Sequence, residues 1–400
     1  MRAAGSLTRA VVKNYKSIAA CGIELKPVTF LVGPNGAGKS NFLDALRFVA
    51  DGLRASLDHA LRDRGGIGEV RRRSGGHPTH FGVRLEFVLP DGSAGSYAFR
   101  IGAKPNGAWE VTNEECVVRP PEALAPEVRF TVASGDVTCS VGGPAASSDR
   151  LYLVSASGLK EFRPVCDALS QMGFYNFSPD RMKDLQPPDP GQLLARDGRN
   201  IASALDHIAK NSPEIKAKIE GYISQIVPGE SGVDTVPVGP RETLQFRQDV
   251  AGAEAPWRFF AANMSDGTLR ALGVLVSWFQ AGAPIVGLEE PEAGLHPAAL
   301  EVLLDALFAA SASRQIIVTS HSAEFLDSPR VDADSIVAVV ADEGSTRAGP
   351  LDSIGRDAFR RRLRTAGELL RDGRMRPDRE TGADPDSQLT LLSESAEEKE

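Results

Sequence analysis

Residues 33–40 read GPNGAGKS, and this stretch decides the fold. It matches the pattern G-x-x-x-x-G-K-[S/T] at every fixed position. The apolar run 23–32 before it is typical of a strand, and residues 40–57 after it place apolar side chains three and four apart, which predicts a helix. A strand, a glycine-rich loop and a helix in this order are the context that the pattern requires, which disfavours a chance glycine-rich turn.

This loop has the residue types that a phosphate group needs. Glycines let the backbone wrap tightly, so that successive N–H groups point at phosphate oxygens. The helix that begins near Gly38 directs the positive end of its dipole at the same anion. Lys39 adds a cation for the outer phosphates, and the Ser40 hydroxyl is a magnesium ligand. The predicted nucleotide-binding residues here are Gly33, Pro34, Asn35, Gly36, Ala37, Gly38, Lys39, Ser40 and Asn41.

A second stretch, IVGLEEPEAGLHP at 285–297, is an apolar run that ends in adjacent carboxylates. Negative charge at the end of a buried strand is costly unless a cation lies there, and the magnesium ion of a bound nucleotide supplies one. Glu289 is predicted to hold the metal, through water, and Glu290 to polarise the attacking water as general base. The usual residue at the first position is Asp, so the longer Glu289 places the metal further out or displaces a water. The alternative is that both carboxylates cap the next helix.

The composition of the 400 residues, 42% hydrophobic and 24% charged, is that of a globular enzyme of one large or two fused lobes. No apolar run approaches the roughly 20 residues of a membrane helix, and residues 1–17 lack the apolar core of a signal peptide. We therefore predict a cytoplasmic protein whose four cysteines are free thiols. The net charge of −8 argues against a nucleic-acid-binding surface over the whole protein but leaves room for a local basic patch.

Three further stretches resemble the motifs of ABC-type ATPases, in the form found in SMC, RecF and OLD-like proteins. The segment MSDGTLRALGVL (264–275) resembles their signature motif, VTSHS (318–322) their switch histidine, and NYKSI (14–18) their opening strand. The resemblance covers roughly residues 8–340, and EEPE is a recurring form in this group. It implies an α/β fold, a P-loop NTPase of the ABC-ATPase type seen in SMC and RecF heads, with an antiparallel β insertion and a helical lobe.

The resemblance also implies a head-to-head homodimer, or a higher oligomer, with ATP and Mg²⁺ between the protomers. Ser265 and Gly267 would then complete the partner's γ-phosphate site, although an ordinary serine N-cap is the alternative. His321 would sense the γ-phosphate, unless it is a core histidine with its hydrogen bonds satisfied. The glutamine that contacts the metal in this group is not identifiable, and Gln186 and Arg181 are two candidates for its role.

Five segments follow from this pattern. Residues 1–60 form the N-terminal part of the ATPase lobe with the P-loop, and residues 61–158 an antiparallel β-rich insertion, whose meander runs from 81 to about 143. Residues 159–240 form a helical lobe. Residues 241–345 form the C-terminal ATPase lobe with the signature, the carboxylate pair and the switch histidine, and residues 346–400 a charged helix at 357–373 and a disordered acidic tail.

Our leading interpretation is an ATP-hydrolysing dimer that acts as a sensor or motor in DNA-directed work, in bacterial antiviral defence. We expect it to work with a separate effector such as a nuclease and not to associate with a membrane. The interval from Ser40 to Ser265 lacks the heptads of an SMC arm, and the residues after 340 are too few for a nuclease domain of the OLD type.

Three alternatives stay open. One is a DNA-repair clamp like RecF, in which the basic loop 62–80 contacts phosphates through Arg71, Arg72 and Arg73, aided by Arg62, Arg64, His77 and His80. In the competing interpretation, this loop is solvated or paired with acids. Another is the nucleotide-binding subunit of a transporter, against which the signature form, the opening strand and the β insertion argue. A third is a regulatory scaffold that binds ATP and scarcely hydrolyses it.

Overall fold

The computed structural model describes residues 5–73, 78–121, 126–342, 344–378 and 390–392. In these ranges the chain forms sixteen strands: β1 (Ser6–Tyr15), β2 (Ile18–Glu24), β3 (Val28–Val32), β4 (His80–Val88), β5 (Ala94–Ala103), β6 (Trp109–Arg119), β7 (Val128–Ala133), β8 (Asp136–Cys139), β9 (Gly173–Tyr175), β10 (Glu230–Val238), β11 (Arg241–Gln248), β12 (Trp257–Phe260), β13 (Ile285–Glu289), β14 (Gln315–Ser320), β15 (Ile336–Asp342) and β16 (Ser345–Pro350).

The same ranges hold thirteen α-helices: α1 (Lys39–Arg54), α2 (Leu57–Arg62), α3 (Ile67–Val70), α4 (Tyr152–Ala156), α5 (Arg163–Ser170), α6 (Pro179–Lys183), α7 (Ile201–Asn211), α8 (Pro213–Ile226), α9 (Asp266–Phe279), α10 (Pro297–Ser311), α11 (Ala323–Leu326), α12 (Ser353–Arg360) and α13 (Ala366–Arg371). None of these helices is long and apolar enough to cross a membrane.

Thirteen strands join in one sheet, in the order β8-β7-β6-β5-β4-β1-β2-β16-β15-β3-β14-β13-β9. At one end, β15, β3, β14, β13 and β9 run parallel, and at the other, β4 to β8 form the predicted antiparallel meander. The meander is continuous with the rest of the sheet, because β4 pairs with β1 from Lys13↔Gly82 to Ser6↔Val88. The predicted antiparallel insertion is confirmed, as an extension of the same sheet.

Two apolar layers cover this sheet. All five residues of β3 are buried, as are the first four of β13 and all six of β14, which is typical of parallel strands covered on both faces. Helix α1 packs on one face through the predicted apolar stripe, which includes Phe42, Leu46 and Val49. Helices α9 and α10 pack on the other face, and α8 packs against both of them. A separate three-stranded sheet, β10-β11-β12, lies against α7 and α8 and completes the helical lobe.

Three elements differ from the sequence prediction. The predicted strand 23–32 is two strands, because β2 pairs with β1 whereas β3 pairs with β14. The basic loop 62–80 is not wholly irregular, since it contains α3. The predicted helix 357–373 is two helices: α12 ends before Arg362, which has a left-handed φ of 54°, and α13 begins with a capping box at Thr365.

The acidic end of the chain, residues 393–400, lies outside the described residues, as do 379–389. Between them, Leu391 and Leu392 are buried against Val11 and Ala98 on the outer face of the sheet. Pro377 bridges to Leu351, so the polar region predicted to be disordered from about 373 onwards is partly ordered.

Candidate nucleotide-binding site

The glycine-rich loop lies at the carboxyl end of β3 and is pressed against the β15–β16 hairpin. A Cβ atom added at Gly33 would lie 1.9 Å from the Val339 carbonyl oxygen, and one at Gly38 1.9 Å from Thr346 Oγ1. Gly38 also has φ +100°, which glycine adopts without steric cost. These glycines are therefore required by close packing as well as by the turn. Gly36, with φ +77°, has open space around it.

Lys39 begins α1, and its ammonium is folded across the loop. Its Nζ donates to the carbonyl oxygens of Gly33 at 2.7 Å and Pro34 at 3.0 Å. Burial lowers the pKa of Lys39, while the carboxylates of Glu290 and Glu292 act in the opposite direction. The first N–H groups of α1 have no acceptor within the helix. A buried cation and these backbone donors together favour an anion over the loop.

Glu290 and His321 lie side by side at the carboxyl ends of two neighbouring strands. The Nδ1 atom of His321 is 2.9 Å from Glu290 Oε1, although 31 residues separate them in the chain. The parallel pairing of β13 and β14 brings them to the same edge, next to β3 and the loop. Glu290 has a left-handed φ of 47°, and its N–H donates to the carbonyl and the hydroxyl of Thr319. This backbone turn directs its carboxylate away from the line of the strand.

A third carboxylate, Glu292, stabilises the turn that carries His321. It is 6% exposed, and its Oε1 accepts a hydrogen bond from Ser320 Oγ at 2.5 Å. Ser320 Oγ accepts in turn from the N–H of Ser322, so the turn that carries His321 is tied to the segment after β13. Burial raises the pKa of Glu292. Sequence reasoning assigned no role to Glu292 or Ser320; their signal was a further glutamate after one proline and a serine beside the switch histidine.

The side chain of Glu289 lies on the α1 face of β13, the same face as Gly287. Its Oε1 is 3.2 Å from Nη2 of Arg196, and a small cavity beside the pair is lined by Asp44 and Arg47 of α1. The side chain of Ser40 is exposed at the first turn of the same helix. Sequence reasoning missed Arg196, which lies 93 residues from its partner and has no motif around it.

The predicted signature residues begin α9. Ser265 is its N-cap, and its hydroxyl accepts from the N–H of Thr268 at 3.1 Å. Gly267 is buried, and a Cβ added there would lie 2.3 Å from the carbonyl oxygen of Gly294. Among the described contacts of one chain, the signature therefore touches the segment after Glu290 rather than the glycine-rich loop. Both the capping role and an exposed Ser265 hydroxyl are present in the same residue.

Neither candidate for the metal-contacting glutamine is placed for that role. Gln186 is 2% exposed, its side-chain oxygen accepts from the N–H of Ala202, and its nitrogen donates to the Met182 carbonyl. The prediction for Gln186 is wrong, because its side-chain amide is buried in the helical lobe, where both its oxygen and its nitrogen are hydrogen-bonded. Arg181 lies exposed on α6 and has no described contact with the loop, Glu289 or Glu290.

The basic segment 62–80 contains one arginine that is wholly internal. The side chain of Arg64 is 2% exposed and bonds Asp44 and Asp51. Asp44 also accepts from Tyr15 and Lys16, at 2.8 and 2.6 Å. The surrounding cations hold the pKa of Asp44 well below its usual range, against the effect of burial, which is the largest and raises it. Arg64 is therefore unavailable to a nucleic acid.

The other predicted DNA contacts remain nearer the surface. Arg71 donates to a backbone carbonyl within the segment, Arg72 is half-buried, and Arg73 is exposed and paired with Glu69. His77 lies outside the described residues. Pairing with acids, which was the alternative interpretation of this loop, accounts for Arg64 and Arg73.

The residues present fit a magnesium–nucleotide complex. The loop offers backbone N–H groups and Lys39, and the hydroxyl of Ser40 and the carboxylate of Glu289 are oxygen ligands of the kind Mg²⁺ prefers. Among the described residues, no group of three or more His, Cys, Asp or Glu side chains is placed to hold a metal alone. Magnesium at such sites is held by one or two protein oxygens together with substrate phosphates, so this donor set is sufficient.

The chain is similar to known proteins in sequence and in fold. A family model described as "AAA domain, putative AbiEii toxin, Type IV TA system" matches residues 28–121 and 145–327. Structural maintenance of chromosomes protein 1 of Schizosaccharomyces pombe is 28% identical over 239 residues, 55% of this chain and 18% of that protein. The DNA replication and repair protein RecF of Vibrio vulnificus is 40% identical over 47 residues, 12% of this chain and 13% of that protein. The chain thus matches less than a fifth of the length of these curated relatives.

Two solved structures share the fold. The Smc head domain with an extended coiled coil from Pyrococcus furiosus, bound to the C-terminal domain of ScpA, superposes with a TM-score of 0.56 at 12% identity, covering 90% of this chain and 99% of that one. An SmcHead bound to the C-winged helix domain of ScpA superposes with a TM-score of 0.54 at 15% identity, covering 86% and 96%. The predicted fold class is confirmed. Because the family model matches well over half of the chain, the protein belongs to this AAA-domain family, and it is similar in sequence to SMC and RecF proteins and in fold to Smc head domains.

Proposed function

We propose that this chain binds Mg·ATP in the glycine-rich loop and hydrolyses it to ADP and phosphate. The observation that carries the proposal is the convergence of three groups at one sheet edge: Lys39 in the loop, Glu290, and His321 at 2.9 Å from Glu290. An anion-binding loop, a carboxylate beside it and a histidine at the end of the intervening strand are what hydrolysis of a terminal phosphate requires.

The roles divide by chemistry. Lys39 offsets the charge of the outer phosphates, and Ser40 and Glu289 hold the magnesium ion. Glu290 accepts the proton of the attacking water, and His321, within hydrogen-bond reach of it, orients its carboxylate and contacts the γ-phosphate. The left-handed backbone at Glu290 supports this assignment, because strained residues are retained where they serve a site.

The active form in this proposal is a head-to-head homodimer. Ser265, exposed at the start of the fourteen-residue helix α9, and the backbone of Gly267 form a second anion site on each chain, away from its own loop. Two protomers placed head to head would each complete the γ-phosphate site of the other. Assembly beyond a dimer is compatible with this geometry.

The broader role we propose is that of a sensor or motor in DNA-directed work, in bacterial antiviral defence, with a separate effector such as a nuclease. The family description names a toxin–antitoxin system, and the relatives are named for chromosome maintenance and for DNA replication and repair. The solved relatives are bound to a domain of another protein, ScpA, which supports a separate partner here.

A RecF-like clamp is the second candidate function, favoured by the RecF relative and by the exposed side chain of Arg73. Duplex DNA binding should then weaken with salt and be lost when Arg71, Arg72 and Arg73 are changed together to Ala. Binding that is unchanged in the triple variant would remove this candidate.

Phosphate release and light scattering test the proposed chemistry. Glu290→Gln should slow hydrolysis by about 100-fold or more and trap an ATP-bound dimer, because the general base is lost while the nucleotide site remains. Lys39→Ala should bind ATP poorly and stay monomeric, which separates loss of binding from loss of chemistry. Hydrolysis at the wild-type rate in Glu290→Gln would show that Glu290 is not the base.

A further inference from the structure

A basic groove lies on the outer side of α1, beside the edge strand β9. The groove, a cavity of about 540 Å³, lies between the C-terminal half of α1, the edge strand β9 and the loop 193–199. Its lining has one histidine and four arginines: Arg47, Arg54, His59, Arg196 and Arg199. None of the residues assigned to nucleotide chemistry lines it, so it is a separate feature of the molecule.

The loop that supplies Arg196 and Arg199 is held firmly. The Asn200 side chain accepts from the N–H of Ala195 at 2.7 Å, and Gln280 accepts from that of Leu194 at 3.0 Å. The loop also pairs with the chain that follows β9, since Arg196 O accepts from the N–H of Asn176 at 3.0 Å. The guanidinium of Arg196 is thus presented from a fixed backbone.

Three aspartates, Asp51, Asp63 and Asp197, line the groove against its four arginines, and Asp63 is paired with His59. Asp51 is already bonded by Arg47 and by the internal Arg64. Burial lowers the pKa of Arg47, followed by the charge of Arg64 and, less strongly, that of Arg196, while Asp44 and Asp51 oppose them. This crowding of like charges is a cost that a bound anion would relieve.

Two exposed arginines of the groove belong to the loop 193–199. The side chain of Arg199 is 72% exposed, and its only described ionic partner is Asp197, at 3.8 Å. The side chain of Arg196 is 48% exposed and forms an ion pair with Glu289. Arg196 therefore belongs to two sites at once, the groove and the metal end of the nucleotide site.

We infer that this basic groove binds a phosphate-bearing ligand, and that the ligand competes with Glu289 for Arg196. Forked guanidinium groups recognise phosphate oxygens through paired charge-assisted hydrogen bonds. The source of the phosphate is either a strand of nucleic acid or a small free phosphate. The exposed side chain of Leu193 at the rim offers a base an apolar surface, which favours the strand.

The coupling part of this inference rests on the proposed role of Glu289 as a metal ligand. While Arg196 holds its carboxylate, Glu289 is less available to Mg²⁺, and the guanidinium repels the ion. A phosphate that draws Arg196 into the groove frees Glu289. By linkage, Mg·nucleotide then strengthens phosphate binding in the groove by the same factor. The groove would make ATP turnover respond to the ligand.

Binding is tested by fluorescence anisotropy of a short fluorescein-labelled single-stranded oligonucleotide and by its competition with inorganic pyrophosphate. Arg196→Gln and Arg199→Gln should each weaken binding by about tenfold, the loss expected for a hydrogen bond between charged groups. Arg119→Gln, which changes an exposed, paired arginine on the meander, is the matched control and should bind as wild type does. Tighter binding of the oligonucleotide than of pyrophosphate identifies a strand as the ligand, and the reverse identifies a small phosphate.

Coupling is tested by titrating Mg²⁺ while following the fluorescence of a mant-labelled ATP analogue, which reports nucleotide binding rather than turnover. Arg196→Gln should lower the half-saturating Mg²⁺ concentration by about threefold or more, since a cation beside the metal has been removed. Saturating the wild type with the oligonucleotide or pyrophosphate should have the same effect, whereas Arg199→Gln alone should leave the concentration unchanged.

The inference is overturned if neither probe binds the wild type, or if Arg196→Gln and Arg199→Gln bind both probes normally. An unchanged or higher Mg²⁺ requirement in Arg196→Gln overturns the coupling. Failure of the proposed function is distinguishable: wild type and Lys39→Ala would then both fail to bind the ATP analogue, while the anisotropy measurement would still decide whether the groove binds phosphate.

Discussion

A single backbone angle at Glu290 sets the direction of its carboxylate. The side chains of β13 alternate between its two faces, so a regular continuation of the strand after Glu289 would point Glu290 toward the α9 side. The left-handed φ at Glu290 interrupts that alternation and brings its carboxylate to His321. Such a conformation costs about 1–3 kcal/mol for a residue other than glycine, and two hydrogen bonds from its N–H to Thr319 hold it.

Glu292 is expected to support the histidine turn through its oxygen atoms rather than through a negative charge, which burial disfavours. Glu292→Gln keeps an oxygen acceptor for Ser320 and should cost less than about 1 kcal/mol of unfolding free energy. Glu292→Ala leaves the Ser320 hydroxyl unpaired above a cavity and should cost about 2–3 kcal/mol and slow hydrolysis by about tenfold. Urea unfolding and phosphate release measure both effects.

The control for this pair is Glu324→Ala, an exposed glutamate 32 residues further along the chain, in α11. It should behave as wild type in both assays. Equal losses in Glu292→Gln and Glu292→Ala would mean that Glu292 acts as a charged carboxylate, contrary to the expectation.

At the scale of elements, the glycine-rich loop depends on the β15–β16 hairpin that it lies against. Thr346 meets the loop at Gly38, and its hydroxyl lies 2.7 Å from that of Ser17, which accepts in turn from Asn41 Nδ2. The hairpin residues that touch Gly33 and Gly38 lie more than 300 residues from them in the chain, yet they fix the backbone of the loop. At Gly38, the volume of an added side chain should therefore reduce stability more than the loss of glycine's conformational freedom does.

Two alanine substitutions separate these effects. Gly36 and Gly38 both have positive φ, so either change to Ala brings about 1 kcal/mol of backbone strain. Only Gly38→Ala forces a Cβ into Thr346, and it should lose about 2–4 kcal/mol in total. The measurement is urea unfolding without nucleotide, with Gly36→Ala as the matched control. Equal losses would mean that the hairpin yields freely.

At the scale of the whole molecule, a continuous sheet connects the nucleotide-binding edge to the meander. A buried carboxylate, Glu114 of β6, fastens the meander to the helical layer: it accepts from Tyr97 Oη at 3.0 Å and from the N–H groups of Tyr152 and Leu153, at 2.5 and 2.8 Å. Burial raises the pKa of Glu114 to about 7, although these hydrogen bonds lower it in part. Its titration is therefore linked to global unfolding.

The sign of this linkage follows from the raised pKa. The folded state keeps the proton of Glu114 up to about pH 7, whereas the unfolded chain releases it near pH 4.3, so its contribution is complete below that lower value and is lost as pH rises toward 7. Glu114 should account for a fall of about 3 kcal/mol in the unfolding free energy across this window. In Glu114→Gln the fall should be smaller by that amount, although Glu230, whose pKa burial also raises to about 7, still contributes; in the exposed-site control Glu127→Gln the fall should be unchanged. Urea unfolding at a series of pH values measures it; parallel curves for wild type and Glu114→Gln would contradict the assignment.

The glycine-rich loop, the carboxylate pair and the histidine after the next apolar strand were recognisable from the sequence by itself. These signals are local, because glycine positions, apolar runs and polar residues at strand ends depend on neighbouring residues. The family and the fold class followed from them and are confirmed. The site roles of Lys39, Ser40, Glu289, Glu290 and His321 remain predictions.

The pairing of charged side chains depends on the tertiary structure. Arg196 pairs with Glu289, 93 residues away in the chain. Arg64 is internal because Asp44 and Asp51 surround it. The side-chain amide of Gln186 is hydrogen-bonded inside the helical lobe. An arginine in a basic loop has the same local sequence whether it faces solvent or a buried aspartate. Its burial depends on which distant chain folds over it, and that is set by the packing of the whole sheet.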